Sequence, residues 1–333
     1  MKLLSRIAGS ALLAASLSVA TPSLADDLNI AAIFPDGVEN AWTKAFLDSL
    51  DVVKAQHPHG LDIHLDFTEN VFGDTIMEVL EAYSESGKYD MIWTHQASSD
   101  QVEELKDQFP DILYVSTGGG NRAVGGNGFQ GDIFLHESSY LVGVYAGLDT
   151  KTNVIGTVGL FPSDNVNDQV NAFRAGARSV NPDVKLKVTF IESWYDPLKA
   201  AEAASAQIAA GADIIFQLGE TYQVCKERGI QCIGNYLDMT SQAPGNVPIS
   251  TLAKWEPHLN YFIDLIVDHR ANGTAYDAPL HKIVFDMKQG GSDITKPADY
   301  VSDAAKAAVA RDKAAILSGE LKVVNDGSLP TSD

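Results

Sequence analysis

Residues 28–54 read LNIAAIFPDGVENAWTKAFLDSLDVVK. The apolar run Leu28–Phe34 reads as a strand, and Thr43–Lys54 as the helix that follows it. Between them the loop FPDGVENAW, residues 34–42, carries two acids, an amide and an indole. A plain connector needs only a turn and a helix cap, which Asp36 and Gly37 supply alone. In an open α/β sheet, however, ligands bind outside the carboxyl ends of the strands, where this loop would lie. Whether it is a connector or the wall of a site is decided by the rest of the chain.

Strand and helix signals keep alternating beyond it, which is the α/β pattern. Strands are expected at Asp62–Phe67, Tyr89–Thr94, Ile112–Ser116, Val154–Gly159, Val184–Phe190, Asp213–Gln217, Gln231–Gly234, Val247–Leu252 and His281–Met287. Helices are expected at Asp100–Phe109, where Val102, Leu105 and Phe109 recur at helical spacing, and at Lys199–Ala210, which stops at Gly211. Helical patterns lie between the strands generally, and further helices are expected near Pro257–Arg270 and at Lys296–Ser318. The glycine-rich stretch STGGGNRAVGGNGFQ, residues 116–130, reads as neither strand nor helix but as a crossing between lobes or a loop over a site.

The first 25 residues read as a cleaved secretory signal: Lys2 and Arg6, an apolar core Ile7–Ala20, then the small-residue site Ser23-Leu24-Ala25. Asp26 follows with no cysteine to lipidate, so a free periplasmic chain is expected. The 308 residues beyond position 25 suit two lobes rather than one core. The whole chain has a net charge of −20, or −22 once Lys2 and Arg6 are removed. That excludes nucleic acid and anionic lipid as partners, since both require basic surface. The two cysteines, Cys225 and Cys232, are either a short disulfide or two buried thiols. No phosphate loop, nucleophile elbow or His-x-x-x-His pair occurs, and His57 and His59 flank Pro58 in a solvated turn. No enzyme, metal site or cofactor is expected; a hydrolase is the rival class.

Several stretches carry a family pattern: ESSYLVGVYAGLDTKTNVIGTVG (137–159), NAFRAGARSVNPDVKLKV (171–188), SWYDPLKAAEAASAQIAAGADIIF (193–216), IGNYLD (233–238) and STLAK (250–254). Together they resemble the basic-membrane-protein family of ABC-transporter substrate-binding proteins, which includes purine nucleoside receptors. The resemblance implies a type I periplasmic-binding fold, two doubly wound Rossmann-like lobes joined by a multi-strand hinge. It implies residues 26–130 plus 254–286 in one lobe and 131–253 plus 287–333 in the other. It also implies a monomer that captures a purine-type nucleobase or nucleoside and hands it to an inner-membrane permease; the alternatives are a receptor for another small cyclic or polar solute, or a periplasmic sensor subunit.

Asp36 and Asn40 then match the family's D-x-x-F-N signature, with Glu39 in place of the aromatic. Asp238 matches the second acid of G-x-D-x-D, Tyr236 replaces the first, and Lys254 matches the family lysine; in nucleoside receptors such groups hold ribose hydroxyls. The further family acid after the fourth strand is replaced by Ser116-Thr117-Gly118. A free base, or an oxidised purine rich in carbonyls, is therefore expected to bind at least as well as a riboside.

Each candidate has an alternative. Asp36 and Asn40 can cap the helix; Trp42 is either core or the ring face for a ligand. His95 and Gln96 offer donors and acceptors to a heterocycle edge, or cap the next helix. Phe161 is expected at the cleft from the second lobe, and Trp194 and Asp196 stand where that lobe's motif bends. Gly219 lets backbone approach a ligand, with Glu220 beside it.

Overall fold

The computed structural model describes residues 27–333, so the signal read at 1–25 lies outside the described residues. The chain runs β1 (Asp27–Ile33), α1 (Ala41–Gln56), β2 (Asp62–Thr68), α2 (Thr75–Glu85), β3 (Met91–Thr94), α3 (Ser99–Leu105), β4 (Leu113–Thr117) and β5 (Gly128–Ile133). It continues through α4 (His136–Asp149), β6 (Val154–Gly159), α5 (Asp164–Val180), β7 (Lys185–Phe190), α6 (Pro197–Ala209), β8 (Ile214–Gln217), α7 (Tyr222–Arg228) and β9 (Gln231–Ile233). Last come β10 (Thr251–Ala253), α8 (Glu256–Asn272), β11 (Ile283–Phe285), β12 (Ser292–Ile294) and α9 (Asp303–Ser318).

Two parallel sheets result. One has six strands in the order β11-β5-β4-β3-β1-β2, and the other four in the order β7-β6-β8-β9. Strands buried on both faces need apolar residues at nearly every position, which Leu28, Ile30, Ala31, Ala32 and Ile33 provide, all fully buried. Trp93, Phe46, Trp255 and Phe262 fill the core on one face of the first sheet, whereas Phe173, Phe216 and Tyr145 belong to the separate core of the second. The chain passes between the two cores after β5, between β9 and α8, and again after β11. The antiparallel pair β10–β12 and a bridge from Gly234 to Ser250 lie on these passages. Among the described residues no helix is long and apolar enough to cross a membrane.

The structure departs from the expected elements in three places. The stretch 116–130 is not all loop: β4 takes Ser116 and Thr117, and β5 begins at Gly128. A Cβ on Gly128 would lie 2.5 Å from Val124 Cγ2, so this glycine answers tight packing rather than a need for flexibility. β5 also carries the first sheet past the expected boundary at 130/131 to Ile133. The strand expected at Val247–Leu252 shrinks to Thr251–Ala253, and the last helix begins at Asp303, beyond Pro297, with Ser302 as its cap. Cys225 and Cys232 are joined as a disulfide, their Cα atoms 5.9 Å apart.

One tertiary detail concerns the outer edge of the second sheet. Residues 326–333 run along that lobe, with Asn171 Nδ2 donating to the carbonyls of Asp326 and Ser328. Asp333 N–H donates to Leu186 O at 3.0 Å, and Leu186 N–H to Asp333 Oδ2 at 2.8 Å. Ser332 Oγ accepts from Val188 N–H at 2.8 Å.

Candidate functional site

The carboxyl ends of β1, β3, β6, β8 and β9 converge on one cleft between the sheets, about 1160 Å³ of empty space including its open mouth. This is where a doubly wound sheet leaves strand ends without a helix above them. From the first lobe, Asp36, Asn40, Trp42, His95 and Gln96 line it; from the second, Trp194, Asp196, Gly219 and Glu220.

Asn40 is the N-cap of α1, its Oδ1 accepting from Trp42 N–H at 2.9 Å while its Nδ2 donates to Asp36 Oδ2 at 3.3 Å. The cap therefore fixes both the helix start and the acid beside it. Burial first, and Glu39 second, push the Asp36 carboxyl above the usual carboxylate range. Trp42, in the first helical turn, lies half-buried with its ring stacked on His95, centroids 4.6 Å apart and 19° between planes. Tyr236 and Trp255 meet the indole edge-on at 5.2 and 5.1 Å. One face is thus held by a rigid aromatic cluster.

His95 does not present a free heterocycle edge. Its Nδ1 accepts from Trp93 Nε1–H at 3.0 Å and its Nε2–H donates to Trp42 O at 3.2 Å. Burial holds the ring neutral, with its pKa lowered to about 3. Its role in the cleft is to orient Trp42. Gln96 differs, because its Nε2 donates to Val71 O at 2.8 Å and its Oε1 stays unpartnered.

On the opposite wall, Asp196 caps α6, its Oδ1 accepting from Lys199 N–H at 3.0 Å. Glu220 accepts from Tyr222 O–H at 3.1 Å and is pushed up by burial and by Glu39. Three expected residues stand elsewhere. Phe161 turns behind Trp194, edge-on at 5.0 Å, and its neighbour Leu160 lines the cleft instead. Tyr236 adopts φ +68°, which turns the chain outward, so that Asp238 is exposed with its Oδ1 accepting from Thr240 N–H. Lys254 Nζ lies 3.7 Å from Glu256 Oε1, also off the cleft wall. Gln217, the last residue of β8, lines it beside Gly219 and Glu220, and unexpected lining comes from Phe72, Tyr195 and Asn235. These three lie in the loops that follow β2, β7 and β9.

Beside the passage from β5 to α4 lies a buried polar cluster. Lys282 Nζ is 3.0 Å from Asp132 Oδ2 and 3.5 Å from Asp164 Oδ2, and Asp168 accepts from Asn325 Nδ2 at 3.0 Å. The Asp168 side chain also faces His136 at 4.0 Å. Burial, and then the negative charge of Asp132, push the Asp168 carboxyl up to about 8. The native state therefore holds a proton here that an unfolded carboxyl releases near pH 3.9. This contribution to stability is complete below that value and is lost as pH rises towards 8. Asp168→Asn should accordingly raise the melting temperature more at pH 8 than at pH 5; equal shifts at both would show that Asp168 does not titrate in this window.

A ligand-sized cleft between two doubly wound lobes, walled by aromatic and amide groups, defines a two-lobed small-molecule binding protein. The family model for PnrA-like ABC-transporter substrate-binding proteins (Bmp) matches residues 28–326, and the chain belongs to that family. Its members are binding proteins, not enzymes. A purine-binding protein of Brucella abortus (strain 2308) is 31% identical over 209 residues, 62% of this chain and 58% of the relative. An ABC-transporter protein of Haloferax volcanii named for glucose binding is 28% identical over 239 residues, 70% of this chain and 60% of its own. The nucleoside-binding protein BmpA of Lactococcus lactis is 25% identical over 210 residues, 56% of this chain and 58% of its own. The chain thus spans somewhat under two thirds of the length of these relatives. Among solved structures, a solute-binding protein from Conexibacter woesei superposes with a TM-score of 0.70 at 20% identity, covering 90% of this chain and 99% of that one.

Proposed function

We propose that this protein captures a purine-type nucleobase or nucleoside in the periplasm and delivers it, as a monomer, to an ABC permease. The observation that carries the reading is Trp42, a flat ring held rigid by His95, Tyr236 and Trp255 in the wall of the cleft. Such a surface suits a planar heterocycle, because stacking contributes roughly 1–3 kcal/mol per base without needing hydrogen-bond partners. The purine-binding and nucleoside-binding relatives support the same ligand class.

The free base is the favoured form. Asp238 and Lys254, the groups the family resemblance assigns to ribose hydroxyls, stand outside the cleft lining. A site built to bond a sugar would discriminate strongly against a ligand lacking it, since its buried polar groups would be left unpaired. Native mass spectrometry of the purified protein, followed by calorimetric titration of purine bases, their ribosides and glucose, tests the reading. Bases are expected to bind at least as tightly as ribosides, and glucose far more weakly. A tenfold preference for ribosides would restore a nucleoside receptor, and tight glucose binding would overturn the purine assignment.

A further inference from the structure

Charge in the cleft is of one sign. The charged side chains lining it are Asp36, Asp196 and Glu220, and neither lysine nor arginine is among the lining residues. Asp196 is occupied as the α6 cap. Asp36 from the first lobe and Glu220 from the second each accept a single side-chain hydrogen bond, from Asn40 and Tyr222, and Glu39 is near enough to raise both carboxyls. Closing two lobes that carry like charges costs electrostatic energy unless the ligand offsets it.

A second observation points the same way. Val71 O can only accept, so Gln96 must turn its Nε2 towards it and leave Oε1 as an acceptor with no partner in a side chain 7% exposed. Opposite polarity appears on two other amides. Gln217 Oε1 accepts from both the N–H and the hydroxyl of Thr221, which leaves its Nε2 as a donor without a partner among the described residues. Asn235, its Oδ1 taken by the Thr251 hydroxyl, turns its Nδ2 towards the Tyr236 hydroxyl and is closed off from solvent. Both amides are more deeply buried than Asp36 and Glu220, each with 3% exposure. The cleft is therefore polarised, with acceptors at Asp36 and Glu220, a buried unpartnered acceptor on Gln96 behind the wall, and a donor at the deeply set Gln217. Aromatic faces at Trp42, Tyr195 and Tyr236 add attraction for positive charge.

We propose that the cleft selects a flat nitrogen heterocycle that presents an electropositive, amidine-like N–H edge between Asp36 and Glu220, and that it rejects anionic rings. The heterocycle rests on the purine reading above; the sign of the charge does not. Carbonyl-rich oxidised purines, attractive from the sequence alone, then bind worse than amino-substituted ones.

Two probe sets separate these parts. Benzamidine and benzoate are nearly isosteric, one a cation and the other an anion at neutral pH. Benzamidine should raise the melting temperature and benzoate should not; equal shifts, or none from either, overturn the charge rule whatever the natural ligand is. Calorimetry with 2,6-diaminopurine, adenine, hypoxanthine, xanthine and urate should give affinities falling in that order, with urate at least 100-fold weaker than diaminopurine. Glu220→Gln should narrow the diaminopurine–urate gap by tenfold or more. Urate binding as tightly as diaminopurine, or an equal loss for every purine in Glu220→Gln, overturns the selection. If benzamidine binds and no purine does, the charge rule stands and the purine reading falls.

Discussion

Gly176→Ala should destabilise the protein, although alanine in an isolated helix is favoured over glycine by about 1 kcal/mol. A Cβ at Gly176 on α5 would lie 2.0 Å from the carbonyl oxygen of Tyr140 on α4. The contact is reciprocal, because a Cβ at Gly143 on α4 would lie 2.1 Å from Phe173 O on α5, and one at Gly147 would lie 2.4 Å from Ala177 O. These are backbone atoms, which no rotamer change can move aside. The helices must separate, and overpacking of this kind costs typically about 1–3 kcal/mol and occasionally more. Gly176→Leu should prevent the second lobe from folding. Urea unfolding of Gly176→Ala at an unchanged midpoint would mean that the two helices have room to spare. The same helices bring Asn165 to the cleft and His136 and Asp168 to the polar cluster, so ligand binding should fall with stability.

Trp42→Ala should weaken binding of a purine base by about 10- to 100-fold, the stacking contribution of one ring. Trp42→Phe should recover much of the loss, since a smaller aromatic face can still stack on His95. Calorimetry on the two variants, with Lys254→Ala as the control, reads the effect. The lysine variant should stay within about twofold of the parent, because its ammonium lies against Glu256 and not on the cleft wall. An unchanged affinity in Trp42→Ala would remove the indole from the binding surface, and a large loss in Lys254→Ala would return the lysine to it.

The alternation of strands and helices was legible because the buried strands announce themselves by apolar runs, and some helices by a cap or a terminal glycine, as at Asn40 before α1 and Gly211 after α6. Positions just past strand ends were legible too, which is why Asp36, Trp42, Gln96 and Glu220 were expected at the cleft and line it. Side-chain orientation beyond the strand end was not. Phe161 and Leu160 differ by one position, and only the packing of Phe161 on Trp194 determines which faces the ligand. Tyr236 at φ +68° turns the chain two residues before Asp238, and nothing in the residue types IGNYLD signals a left-handed tyrosine. His95 lines the cleft, but the residue types did not show that both its nitrogens are engaged, by Trp42 and Trp93. Gly128 was misread for a different reason. Glycine signals a loop in most contexts, and here it signals contact with Val124 inside a sheet.

The segment lying along β7 has a consequence for life at high concentration. β7 is an outer strand, and an outer strand offers a row of unpaired backbone groups to any other extended chain. Ser332 and Asp333 occupy those groups at Leu186 and Val188, alternate residues on the outward side. The molecule thus supplies its own blocking peptide, anchored by Arg178 to Asp333 at 2.8 Å. Stripping these residues away would leave the lobe's interior untouched and expose a template for strand addition, so that one copy could seed self-association with others.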